Sequence, residues 1–367
     1  MITKLFSFLF LFAIFSPKIE ACSTFLLENK DQPLLAKSFD WIVEDGLVVV
    51  NKRSIAKKAM TLDHPLEWIS QYGSITFTQA GRELPMGGMN ETGLAIELMW
   101  LDATAYPAPD SRATVNELQW IQYQLDTAKS VEEVIKSDYI LRIDPNAKAL
   151  LHFIVLDSTG NCAMIEFIDG KTIVHTRDQM IVPVLTNNTY EKSLEYLKEH
   201  QGFGGNKPLS QGHRSLDRFV RISSLLKNTS ENKDPFQILS HVANFDEASK
   251  EKISFENMEK SNRTMWNIVY DVSNKEIHFL TKSKRDIRTI RLNAFEFEGN
   301  TEVKILDIQD TRKKDMSSHF SPYTYESNRN LIDSCYDQTP FLRNLPTEIR
   351  ELSARYPDST YYSPSQE

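Results

Sequence analysis

Residue 22 is a cysteine standing where an export leader ends, so the first strand of the mature chain is expected to start at a reactive residue. Lys4 supplies a charged start, and Leu5 to Phe15 forms an unbroken apolar-and-serine run. Ile19-Glu20-Ala21 then closes on a small residue suited to cleavage. Cutting after Ala21 leaves a chain beginning Cys22, Ser23, Thr24, Phe25. Such a terminus carries a thiol and an α-amine on one residue: a nucleophile beside a base of unperturbed pKa about 7.7–8.0. An N-terminal amine can activate a nucleophile in this way.

The apolar run is about 11 residues, against the roughly 20 needed to cross a bilayer. No other stretch approaches that length, so the mature chain is expected to be exported, periplasmic or secreted, without a transmembrane segment. The 367 residues, 41% of them hydrophobic and 10% aromatic, suffice for one large domain or two smaller ones. A net charge of -8 argues against a nucleic-acid partner, which calls for a basic surface. The eight histidines show no metal-ligand spacing and no phosphate-binding glycine motif occurs, so no metal or cofactor is expected. The three cysteines leave an odd thiol in an oxidising compartment. Cys162 and Cys335 could pair and leave Cys22 free, or Cys162 could be a small residue buried in an apolar strand.

Strand patterns dominate the first hundred residues. Cys22 to Leu27 and Leu34 to Trp41 flank a polar turn and read as a hairpin. Leu47 to Arg53, Ser74 to Gln79 and Leu94 to Leu101 are further strands. Thr114 to Thr127 reads as a helix, and Ser130 to Glu133 as a capping box opening another. Strands return at Leu150 to Leu156, Cys162 to Ile168, Ile173 to His175 and Ile181 to Leu185. Helices come next at Tyr190 to His200, Leu216 to Lys227 and Pro235 to Val242. Strands Met265 to Val272, Ile277 to Leu280 and Thr289 to Phe297 close the pattern. Blocks of hairpins and blocks of helices favour an α+β layered fold. The apolar pattern fades near Asp310, with one short helix expected within Leu342 to Tyr356 and a frayed end. The expected division is a leader over 1–21, one domain over 22–309 and a partly disordered C-terminal extension over 310–367.

A hairpin returns the far end of its second strand beside the start of its first. Lys37 and Asp40 are therefore expected near Cys22. A cation there would lower the thiol pKa, and a carboxylate could hold the α-amine. The plainer alternative is a solvated Lys–Asp pair on a surface strand.

Six segments, in order, carry a resemblance: Cys22 to Phe25, Leu35 to Trp41, Val50 to Arg53, Gly88 to Leu94, Val184 to Asn188 and Leu216 to Phe219. Across Cys22 to about Gln309 the chain resembles the choloylglycine hydrolase and penicillin V acylase family of N-terminal-nucleophile hydrolases. The resemblance implies a four-layer αββα sandwich and hydrolysis of linear, non-peptide C–N amide bonds through a Cys22 thioester. It implies that Cys22 is the nucleophile and that Asp40 orients the α-amine. Asn187 would supply an oxyanion-hole amide. Trp100 would add a backbone N–H to that hole and line the substrate pocket. Arg218 would join the active-site charge network. Lys37 stands where the family usually has Arg, keeping the charge but losing the planar fork. Implied substrates are acyl amides, the side-chain amide of β-lactams such as phenoxyacetyl penicillins, bile salts and N-acyl homoserine lactones. Trp100 favours aromatic or fatty acyl groups over bile salts. Homo-oligomers are also implied.

Without the family, Asn187 reads equally as a strand-end turn residue, Arg218 as a solvated helix charge and Trp100 as core. A second reading of Cys22 is a lipid attachment site, which would make the protein an anchored binding module. Glu20, where a lipobox has a small residue, and Pro17-Lys18 speak against it.

Overall fold

The structure, a computed structural model, describes residues 22–29, 32–227, 234–245, 263–312 and 314–364. The expected leader lies outside the described residues. Two antiparallel sheets face each other. The first has six strands in spatial order Val184–Leu185, Ser23–Asn29, Gln32–Trp41, Arg263–Asp271, Glu276–Thr281 and Arg288–Arg291. The second has nine: Lys171–Thr176, Cys162–Ile168, Leu151–Leu156, Ala95–Trp100, Gly87–Asn90, Ser74–Thr78, Leu47–Asn51, Lys304–Asp307 and Ser321–Pro322.

The two-residue period of a strand sorts side chains into layers. Along Leu151–Leu156, Ile154 and Leu156 enter the core that the two sheets share, while Phe153 and Val155 turn outward. The outward face receives the helices Glu117–Thr127 and Val131–Ser137, with Trp120 stacked on Phe153 at 4.3 Å. Between the sheets, Phe77 meets the rings of Trp266, Tyr270 and Phe279. The helices Tyr190–Lys198, Ser215–Lys227 and Pro235–Ser240 cover the other face of the six-stranded sheet. The result is the αββα sandwich that the resemblance implied.

Most elements begin and end within a few residues of the pattern in the sequence. The helix expected from Thr114 starts at Glu117, because Asn116 accepts the N–H of Leu118 and caps it; residues 113–115 pair as a strand instead. Half of the Ser130 capping box forms. Ser130 accepts the Glu133 N–H at 3.3 Å, but the Glu133 carboxylate reaches the N–H of Lys129. Cys162 and Cys335 do not pair. The Cys162 sulfur lies 3.7 Å from that of Met180, and Cys335 is buried in a helix, Tyr325–Gln338. That helix escaped the sequence pattern because its inward stripe, Asn328, Leu331, Ile332 and Cys335, starts on an amide. The helix expected within Leu342 to Tyr356 is Thr347–Arg355.

A charge cluster sits inside one end of the domain. Lys57 Nζ lies 2.5 Å from Glu83 and 2.8 Å from Asp126, and Trp68 and Gln122 donate to Asp126 at 2.8 Å each. Removing the one lysine leaves the buried Asp126 without a cation and Glu83 with Arg82 alone, 3.3 Å away. Lys57→Met is expected to cost about 3–5 kcal/mol in urea denaturation. A loss below about 1 kcal/mol would mean that the cluster is solvated.

Candidate active site

The first hairpin has the register Ser23↔Ser38 and Thr24↔Lys37, which sets Cys22 opposite Phe39. Directly opposed residues share a face. Cys22, Thr24, Lys37 and Phe39 therefore turn toward the second sheet, where Thr24 contacts Met99. Ser23, Ser38 and Asp40 turn toward the helices.

On that side Asp40 accepts from three donors. Arg218 Nη1 reaches Oδ2 at 2.5 Å, and the Ser38 and Thr264 hydroxyls reach Oδ1 at 2.8 Å each. Both charged partners are almost fully buried, and Arg218 Nε donates to the His213 carbonyl at 2.9 Å. The surface pair considered from the sequence is thus a buried one, and its cation is Arg218 rather than Lys37. The Cys22 sulfur rests 3.6 Å from the backbone carbonyl of Asp40.

Lys37 spans the gap between the sheets. Its ammonium donates to the Leu98 carbonyl and lies 3.5 Å from Glu97 Oε2, whose carboxyl also accepts from the Tyr270 hydroxyl at 2.5 Å. Gly87, on the adjoining strand, admits this carboxyl: a Cβ there would fall 2.4 Å from Glu97 Oε1. Burial pushes the Glu97 carboxyl above its ordinary value, against the pull of Lys37 and Tyr270. Glu97 is the site residue that sequence reasoning missed; its signal was a lone carboxylate inside the apolar run Leu94 to Leu101.

Burial likewise raises the Cys22 thiol. The Lys37 charge opposes that, Asp40 adds to it, and the Asp40 backbone and Arg218 pull it down. The net result is a protonated thiol that needs a base.

The remaining pair meets at a strand end. Leu101 N–H donates to Leu150, so in the alternating ladder Trp100 and Leu98 turn their backbone groups away from the strand Leu151–Leu156. The strand on the other side pairs only as far as Gly87↔Glu97. Side chains take over beyond it: Lys37 at the Leu98 carbonyl, and Asn187 Nδ2 at the Trp100 carbonyl, 2.8 Å away. Asn187 is held in turn by Ser215, whose hydroxyl accepts its N–H at 2.9 Å at the start of the helix carrying Arg218. The Trp100 indole donates to Asp102 at 2.7 Å.

Three residues past Asn187, the Tyr190 N–H donates to Glu166 at 3.0 Å. His152 and His175 bracket that carboxylate at 3.3 and 3.2 Å. Burial alone would raise Glu166; the two histidine contacts, the His152 charge and the Tyr190 N–H outweigh it and hold the carboxyl at about 2.

An α+β four-layer sandwich of the N-terminal-nucleophile hydrolase type, with a cysteine at the head of its first strand, is therefore the class that fold and site define. The family model for linear amide C–N hydrolases of the choloylglycine hydrolase family matches residues 22–308, and the chain belongs to that family. A penicillin V acylase of Pectobacterium atrosepticum is 33% identical over 234 residues, 58% of this chain and 61% of that protein's length. The solved penicillin V acylase of Agrobacterium tumefaciens superposes with a TM-score of 0.69 at 26% identity, covering 83% of this chain and 98% of that one. A mutant conjugated bile acid hydrolase of Clostridium perfringens shares the fold, with a TM-score of 0.64 at 19% identity over 80% of this chain and 98% of its own.

The Glu166 bridge predicts an acid response. A carboxyl depressed below its ordinary 4.5 stabilises the fold above that value and loses the contribution as pH falls toward about 2. Glu166→Gln is expected to lower stability at pH 7 by about 2–3 kcal/mol and to flatten the decline between those pH values. Urea titrations at stepped pH read both; an acid decline as steep as wild type's would sink the assignment.

Proposed function

We propose that the mature protein is an exported cysteine amidohydrolase that cleaves linear C–N amide bonds of the penicillin V acylase and choloylglycine hydrolase type. The observation that carries this reading is the convergence at the head of the first strand: the Cys22 sulfur against Asp40, Asp40 locked by Arg218, and Asn187 anchored on Trp100.

The α-nitrogen of Cys22 is an amide in the full chain and becomes an amine only after cleavage following Ala21. That amine, directly or through a water, takes the thiol proton that burial otherwise retains. Asp40 positions it: a carboxylate has about four lone-pair sites, and Arg218, Ser38 and Thr264 occupy three. The thiolate attacks the amide carbon and the C=O electrons move onto oxygen. Asn187 Nδ2 carries two N–H donors, and anchoring one on the Trp100 carbonyl fixes the direction of the other. With the outward-turned Trp100 N–H it receives the oxyanion. Collapse expels the amine, which the α-ammonium protonates. Water then adds to the thioester, releasing the acid and restoring the thiol.

The acylases among the relatives and Trp100, at the strand end where Asn187 docks, favour aromatic or fatty acyl amides over bile salts. The lipid-anchor alternative predicts a blocked α-amine and added acyl mass. Intact-mass measurement decides between them: an unmodified terminus at Cys22 supports the enzyme, and diacylglycerol mass overturns it. On a panel of phenoxyacetyl, fatty-acyl and bile-acid amides, Cys22→Ser is expected to fold and lose nearly all turnover. Asn187→Ala is expected to lower kcat about 10²–10³-fold. Wild-type rates in either variant would refute the corresponding role.

A further inference from the structure

The family match stops at residue 308, and the Agrobacterium acylase is almost used up on 83% of this chain. The C-terminal segment beyond residue 308 nevertheless folds back onto the domain at several points. Asn328 accepts the Arg82 N–H at 2.8 Å and donates to the Ala354 carbonyl at 3.0 Å. Ser334 donates to Asp45 at 2.5 Å. Tyr356 donates to the Lys58 carbonyl at 2.7 Å, and Tyr361–Tyr362 adds a strand beside Ile55–Lys58.

A further contact of this segment reaches the neighbourhood of the candidate nucleophile. Phe341 sets its ring edge-on to Trp41, with centroids 6.4 Å apart and planes at 79°. Trp41 directly follows Asp40 and ends the second strand. Strand alternation turns it to the face of Lys37 and Phe39, the face that Cys22 shares, so Trp41 and Cys22 are diagonal neighbours there. Trp41 and Trp100 both pack against the Ile42–Val43 pair, so one apolar wall joins the end of the second strand to the strand end where Asn187 docks. The segment bearing this wall is pinned on both sides. Gln79 donates to the carbonyls of Val43 and Asp45 at 2.7 and 2.9 Å, and Ser334 holds the Asp45 side chain.

We propose that the segment after the family domain sets acyl specificity: Phe341 holds the Trp41 indole in place, so that the Trp41–Trp100 wall accepts a flat aromatic acyl group beside Cys22. Phe341 is a positioning residue and touches no reacting atom. The inference rests on the amidohydrolase reading for its substrate but not for its binding test. An aromatic acid is recognised by a rigid aromatic wall, whereas a two-carbon acyl group is too small to use one. Releasing the indole therefore penalises the first and spares the second.

The test compares wild type, Phe341→Ala and Phe341→Leu on a phenoxyacetyl amide and an acetyl amide of the same amine. Phe341 is partly exposed, so its truncation leaves the melting temperature close to wild type. Phe341→Ala is expected to raise KM for the phenoxyacetyl amide about five- to tenfold, with kcat within about twofold and the acetyl amide unaffected. Phe341→Leu, which retains an apolar contact, restores part of the difference. In a Cys22→Ala background, calorimetric titration with phenoxyacetate reads the wall without turnover, and Phe341→Ala is expected to weaken binding by a similar factor. A phenoxyacetyl-to-acetyl preference and a phenoxyacetate affinity both within about twofold of wild type would overturn the proposal. If wild type cleaves neither amide, the amidohydrolase reading fails, and the titration alone decides the role of Phe341.

Discussion

The buried pair of Asp40 and Arg218 is the constraint on which the site depends. It joins the first hairpin to the helix Ser215–Lys227 across the sheet–helix boundary. Taking both charges out of water is costly, and a pair of this kind adds little net stability over apolar residues of the same shape. Its return is geometric. Asp40 is satisfied only when Ser38, Thr264 and Arg218 all point at it, which requires the hairpin, the strand Arg263–Asp271 and the helix in one arrangement. The same helix starts at Ser215, which holds Asn187. One ion pair thus couples the residues behind Cys22 to the Asn187 amide.

A second buried charge system works across the sheets. Lys37 ties the first hairpin to Glu97 and Leu98 on the nine-stranded sheet, and Tyr270 closes the bridge from a neighbouring strand. The compact ammonium acts here as a point donor to a carbonyl and a carboxylate lying together, and a planar bidentate fork is not what that geometry asks for. The positive charge so fixed is also the chief influence drawing the Cys22 thiol down against burial. Structural anchoring and tuning of the thiol come from one side chain.

Much of the site was legible because hairpin geometry is local. Once Cys22 to Leu27 and Leu34 to Trp41 are read as paired strands, Asp40 and Lys37 must return beside Cys22. Asn187, Trp100 and Arg218 were legible only through the resemblance, since each alone reads as a turn, a core residue or a surface charge. Glu97 left a trace as a carboxylate in an apolar strand, but nothing local says which cation it meets. Ser215 and Thr264 left none: small hydroxyls are common, and their role depends on partners 28 and 224 positions away. The helix Tyr325–Gln338 was hidden because an amide heads its buried stripe, where the Arg82 backbone satisfies it.

The sequence alone determined the layered α+β class, the order of most strands and helices up to about residue 297, the hairpin that returns Asp40 to Cys22, and the family. These come from residue periodicity, turn chemistry and motifs in order, all read along the chain. Tertiary structure decided which cation pairs with Asp40, that Lys37 bridges the sheets, that Cys162 and Cys335 do not pair, and that Phe341 comes to rest on Trp41. Each of those joins residues far apart in the chain. Their contact depends on how two sheets and three sets of helices stack, and burial makes the charged ones accept only the partner that stacking delivers.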